Sequence, residues 1–134
     1  MAAQFSVAAR NAWLDAIETA VGTSPKLRFL TGSKPADCAT AESGSLLAEV
    51  TCPSDWMAAA SAGAKALAGS WTVAASGTGT AGYYRIMDST GTTCHEQGTI
   101  TATGGGGDMT VDNTSFASGQ TVTVTSKVLT AGGA

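Results

Sequence analysis

Apolar residues recur at intervals of three and four near the start of the chain, over residues 4–21. They share one side of a helix: Leu14, Ile17 and Val21. Ser6 stands where a residue that caps the first turn is expected, and Gly22 stands where a helix-ending glycine is common. The pattern predicts a helical segment over residues 1–24 that either packs on the rest of its own chain or docks on a neighbouring subunit.

After this segment the period of the apolar residues changes to two, which is typical of β-strands. Alternation predicts seven strands, over residues 26–31, 45–51, 70–75, 83–87, 92–103, 109–111 and 120–130. Residues 58–69 are small and nearly uncharged, and they fit either a short helical turn or an extended arm. The regular spacing of turn signals predicts a mainly β fold, an antiparallel β-sandwich or jelly-roll of about seven strands over residues 25–134, with one N-terminal α-helix in a single domain.

The strand predicted over residues 83–87 has two distinct faces. Tyr84 and Ile86 are expected to face the core, whereas Tyr83, Arg85 and Met87 fall on the opposite face. Tyr, Arg and Met are enriched in protein interfaces, although ordinary surface decoration explains the same pattern. The sequence therefore proposes five interface candidates: Leu14, Ile17, Tyr83, Arg85 and Met87.

The last predicted strand alternates most regularly. One face carries Val122, Val124, Ser126 and Val128, and the other carries threonines and Lys127. Simple alternation predicts that the two sets lie on opposite faces along the whole strand.

The composition limits the classes of function. Ala, Gly, Ser and Thr make up more than half of the chain, only 13% of residues are charged, and the formal net charge is −3. An acidic chain with few cations lacks the electrostatic footprint that binds nucleic acid. The sequence has no apolar run of the roughly 20 residues that a membrane span needs and no pattern of a secretion signal, so we expect the product to stay in the cytoplasm where it is made.

The cysteines and the one histidine form no familiar motif. An odd number of cysteines (Cys38, Cys52 and Cys94) argues against a disulfide framework, and a single Cys38–Cys52 bridge is left open for oxidising surroundings. A zinc site would require these cysteines and His95 to converge without the usual short spacings. Neighbouring strand residues face opposite ways, so Cys94 and His95 are not expected to act as a catalytic pair. We expect no catalytic, cofactor-binding or metal-binding residues.

Several segments together resemble small proteins that are encoded among the virion genes of tailed bacteriophages and prophages. The likeness spans nearly the full chain, and the segments that carry it are residues 9–22 (ARNAWLDAIETAVG), 53–56 (PSDW), 82–88 (GYYRIMD), 91–95 (GTTCH) and 103–109 (TGGGGDM). The resemblance implies a virion structural protein with no cofactor and no catalytic residues.

Two virion roles fit such a protein. The first is a head decoration or cement protein that binds the major capsid protein on the outside of the shell as a homo-oligomer, a dimer or a trimer, and stabilises the shell without contacting nucleic acid or a membrane. The second is a tail- or fibre-associated component. An unrelated alternative is a carbohydrate-binding module, which needs exposed planar rings; the candidates for such rings are Trp56, Trp71, Tyr83 and Tyr84.

Overall fold

The computed structural model describes residues 3–134, which form one helix followed by β-strands. The helix α1 spans Val7–Val21. The strands are β1 (Lys26–Thr31), β2 (Leu46–Thr51), β3 (Ala64–Ala66), β4 (Thr72–Ala74), β5 (Gly79–Met87), β6 (Cys94–Ala102), β7 (Met109–Val111), β8 (Ser115–Phe116) and β9 (Thr121–Thr130). A mainly β, sandwich-like fold with an N-terminal helix is therefore confirmed.

Local signals set both ends of α1. The Ser6 hydroxyl oxygen accepts a hydrogen bond from the Ala9 amide at 3.1 Å, which satisfies one of the free donors of the first turn. Gly22 ends the helix with φ +89°, and its amide donates to the Glu18 carbonyl at 2.9 Å. A left-handed backbone at this position favours glycine because glycine has no Cβ.

The strands form one mixed sheet that curls into a half-barrel. Its main order is β2-β1-β5-β6-β7-β9-β3, while β4 pairs with β9 and β8 pairs with β5. All pairs are antiparallel except β6 and β7, which run parallel in the register Ile100↔Met109. The amides of Ser76 and Gly77 both donate to the Leu47 carbonyl, so the segment after β4 reaches the free edge of β2.

Aromatic side chains fill the thin core inside the curl. The rings of Trp56 and Trp71 lie 5.9 Å apart, and Phe29 meets Phe116 edge-on at 5.5 Å. The Trp56 indole N–H donates to the Gly22 carbonyl at 2.9 Å, which attaches the end of α1 to the sheet. Buried indoles usually find such a partner, because an unpaired N–H is costly away from water.

Two short strands go beyond the seven that alternation predicts. The segment over residues 58–69 is extended: it contains β3, which pairs with β9, and Met57 bridges to Leu67. The Phe116 side chain is buried in the core, and this residue belongs to β8, which pairs with β5. Both strands are too short for alternation to identify.

The unbroken alternation predicted for the last strand is wrong, because it is interrupted in the second half. Val122 and Val124 are buried, but Lys127 is only 3% exposed and Val128 is 52% exposed. The pairing of β7 with β9 explains the change of face. Thr110 pairs with Ser126 and Val111 pairs with Val124, so Thr125 between them has no partner on β7 and forms a bulge. Such a bulge shifts every later side chain to the other face.

Candidate functional site

The predicted interface face of β5 is covered by the chain itself. Tyr83 is 0% exposed, Arg85 is 3% exposed, and Met87 is also buried. The expectation that these three residues lie on an open face is therefore wrong. The 32–45 loop, which joins β1 to β2, lies over the first two of them.

Polar contacts hold this loop in place. The Tyr83 hydroxyl donates to the Ser43 carbonyl at 2.6 Å. One guanidinium nitrogen of Arg85 donates to the carbonyls of Asp37 and Thr40 at 3.1 and 2.7 Å. A buried cation is tolerated when several acceptors surround it, so Arg85 acts as an internal anchor for the loop.

The inner side of α1 packs against its own chain, on residues 57–67, which we name the arm. Leu14 is buried there, and Ile17 is half-buried. Both residues therefore lie at an intramolecular contact of the helix, and the structure shows the helix docked in cis.

Charged groups attach the helix to the arm. The Lys65 ammonium is buried and lies 2.7 Å from Asp15 and 2.6 Å from Glu18, and it also donates to the Ala58 carbonyl at 2.8 Å. Burial opposes the charge on Lys65, but the bonds to the two carboxylates outweigh burial and raise its pKa. The helix is thus joined to the arm mainly by ion pairs and hydrogen bonds.

The outer side of the same helix is exposed and uncharged. Four of its exposed residues, Ala9, Trp13, Ala16 and Ala20, follow a spacing of four, three and four, which places them in one row along the axis. We name this row, together with Phe5 just before the helix, the outer stripe. Trp13 is 54% exposed and Phe5 is 48% exposed, and their rings meet edge-on at 6.3 Å.

A surface helix usually carries its charges toward water. The three charged residues of α1 all contact the same chain: Arg10 donates to the Ala131 carbonyl at 3.5 Å, and Asp15, whose side chain is 53% exposed, and Glu18 bind Lys65. The outer stripe itself carries alanines and two aromatic rings and no charge. Trp13 is not among the interface candidates that the sequence proposes, although the helical spacing from Ala9 to Ala20 places it on one side of the helix with alanines.

Two open clefts mark the surface of the sheet. The first has a volume of about 280 Å³ and lies between residues 38–42 and the strands β1, β5 and β6. Of its two cations, Arg28 binds both Glu42 and Glu49 at 2.8 Å, and Arg85 donates to the loop carbonyls. Cys38 and Cys94 line the same cleft.

The second cleft, of about 270 Å³, exposes the edge of a polar cluster. The buried Lys127 ammonium donates to the Tyr84 hydroxyl at 2.8 Å and to Glu96 at 2.7 Å. Burial raises the pKa of Tyr84, and the nearby Glu96 carboxylate raises it further. The cluster keeps a cation, a neutral phenol and a carboxylate in mutual contact.

The cysteines and His95 divide among three environments. His95 is exposed, and Cys52 is buried in the core, where burial raises its pKa to about 12. The Cys94 thiol donates to the Glu96 carbonyl at 3.3 Å. Over residues 3–134, no group of three or more His, Cys, Asp and Glu side chains has a metal-binding arrangement.

The aromatic residues considered for sugar binding lie inside the molecule. They are at most 2% exposed: Trp56, Trp71, Tyr83 and Tyr84. None of these rings offers a face to a saccharide. Within the described part of the chain, no helix combines the length and the apolar character that a bilayer crossing requires.

Comparison of this chain with family models, with curated proteins and with solved structures finds no match.

Proposed function

We propose that this chain is a non-enzymatic virion structural protein of a tailed bacteriophage, a decoration protein that binds the outside of the capsid. The observation that carries the proposal is the outer stripe of α1. An uncharged row of small residues around two aromatic rings suits close contact with another protein. The resemblance of residues 9–22 and of four later segments to small phage virion proteins supports the virion setting.

The two sides of α1 differ in their contacts, and this difference supports a docking role for the outer side. The inner side attaches the helix to the arm through Lys65, so the outer stripe is presented on a fixed element. Pre-ordering a binding element lowers the entropic cost of association. On a shell with many equivalent sites, a homo-oligomer that presents several stripes would bind more tightly than one copy.

The test is binding to heads that lack this protein. Purified protein is mixed with heads from particles in which its gene is deleted, and the bound fraction is measured by sedimentation up to saturation. We expect saturation at a fixed ratio to capsid subunits. Trp13→Ala should weaken binding by about 30-fold, since a central aromatic anchor contributes roughly 2 kcal/mol.

The matched control is Val128→Ala, because Val128 is a similarly exposed apolar residue, 52% exposed, on β9 and not on the helix. This variant should bind like the wild-type protein, and light scattering should give both variants the wild-type mass. Failure of the wild-type protein to bind heads contradicts the proposal, and recovery on tails instead assigns the tail-associated role. Binding that survives Trp13→Ala unchanged excludes the outer stripe as the docking surface.

A further inference from the structure

The 32–45 loop and the start of β6 each bring one cysteine to the lining of the first cleft. Cys38 lies in the loop between Asp37 and Thr40, the two residues whose carbonyls accept hydrogen bonds from Arg85. Cys94 opens β6 opposite Met87, two residues along β5 from that arginine. The arginine anchor therefore sets the position of Cys38 relative to Cys94.

Both thiols line the first cleft, Cys38 from the loop and Cys94 from the start of β6. Burial raises the pKa of Cys94, and the neighbouring Cys38 thiol raises it further. Both side chains are partly exposed at the cleft, so a small reagent can reach them. The third cysteine, Cys52, is buried in the core, and its backbone amide donates a hydrogen bond to the Pro25 carbonyl.

We propose that Cys38 and Cys94 are a disulfide-forming pair that a low-molecular-weight disulfide, such as oxidised glutathione, closes into an intramolecular bridge. The pairing differs from the Cys38–Cys52 bridge that the sequence left open. It is independent of the proposed function, since it rests on the loop and the sheet and not on α1.

The chemistry balances as two successive thiol–disulfide exchanges. One protein thiol loses its proton, and the thiolate attacks a sulfur of oxidised glutathione. The S–S bond of the oxidant breaks, and one glutathione leaves and takes up a proton. The second protein thiol, deprotonated in turn, attacks the mixed disulfide and releases the second glutathione. Two protein thiols are oxidised, and one glutathione disulfide is reduced to two thiols.

The bridge would fasten the loop covalently over β5. It joins positions far apart in the chain, and closing a long loop restricts the unfolded chain strongly. We expect oxidation to raise the melting temperature by roughly 10 °C.

The test uses the full chain treated with oxidised glutathione and digested without reduction. Combined cleavage after Lys, Arg and Glu separates the three cysteines, because Glu42, Lys65 and Arg85 lie between them. Mass spectrometry should find the Cys38 peptide linked to the Cys94 peptide, with an intact mass lower by about 2 Da. The melting temperature should rise in the same sample.

Cys38→Ser and Cys94→Ser should each abolish both the bridge and the gain in melting temperature. Cys52→Ala is the control and should keep the bridge, whatever its effect on stability. Four outcomes overturn the proposal: stable mixed disulfides with glutathione, a link that includes Cys52, a disulfide between two chains, or unreacted Cys38 and Cys94 in the folded protein. None of these outcomes bears on binding to heads, so the two proposals fail separately.

Discussion

Single side chains in this protein show how much a buried charge depends on its neighbours. Lys127 is carried inward by the bulge at Thr125 and is satisfied there by Tyr84 and Glu96. A buried ammonium that loses its carboxylate keeps the full cost of desolvation. Removing one charge of this cluster should therefore lower the free energy of unfolding, whereas removing both charges together should cost much less.

We expect Glu96→Ala to lower the free energy of unfolding by about 2 kcal/mol, because it leaves Lys127 buried without its counter-ion. The double variant Glu96→Gln, Lys127→Met should recover most of that loss, since it removes both charges. Urea unfolding followed by fluorescence gives the free energies.

Glu49→Ala is the control for that experiment. Its partner Arg28 is partly exposed and keeps Glu42, so the loss should stay below about 1 kcal/mol. Equal losses for Glu49→Ala and Glu96→Ala would contradict the account of the buried cluster.

At the scale of the element, α1 has one face buried against its own chain and one exposed face that we propose for docking. Leu14 is buried against the chain, whereas Trp13 beside it is more than half exposed. Adjacent positions on one helix thus separate the two roles, because consecutive residues differ by about 100° around the axis.

We expect Leu14→Ala to lower the free energy of unfolding by about 2–3 kcal/mol, the usual cost of removing a buried leucine side chain. Trp13→Ala should change it by less than about 1 kcal/mol, since little is lost from the core. Chemical denaturation of both variants measures the difference. A large loss for Trp13→Ala would show that the outer stripe supports the fold, and the binding test would then need Ala9→Asp in its place.

At the scale of the whole molecule, aspartates on several turns link folding to pH. The carboxylate of Asp108 accepts hydrogen bonds from the Thr99 amide and hydroxyl. The hydrogen bond from the amide is the main reason that the pKa of Asp108 lies below the ordinary 3.8. The Asp88 carboxylate accepts bonds from Thr92 and Thr90 with the same effect on its pKa. Because the folded-state pKa is depressed, this stabilisation is complete above the unfolded value and is lost as the pH falls through the folded value.

The free energy of unfolding should therefore stay level between about pH 7 and 5 and decline below about pH 4. Asp108→Asn should be less stable at neutral pH and should show a smaller decline in acid, while the exposed Asp55→Asn keeps the wild-type profile. Urea unfolding at a series of pH values measures this. An acid decline of the same size in Asp108→Asn would rule out the contribution of Asp108.

Much of the fold could be read from the chain alone, because local rules govern it. Ser6 and Gly22 mark the ends of α1, and β1 and β7 occupy the residues that alternation predicts. Helix capping and the alternation of side chains depend on residues a few positions apart, so both can be recognised in the sequence. The mainly β class follows from the same local signals.

Only the tertiary structure decided which faces are covered. Alternation placed Tyr83 and Arg85 opposite Tyr84, which is correct, but it could not show that the 32–45 loop folds back over them. The bulge that turns Lys127 inward depends on pairing with β7, and the placement of Cys38 in the cleft that Cys94 lines depends on that same loop. Coverage, register and the pairing of distant residues are set by contacts between segments far apart in the chain, and local periodicity carries no information about them.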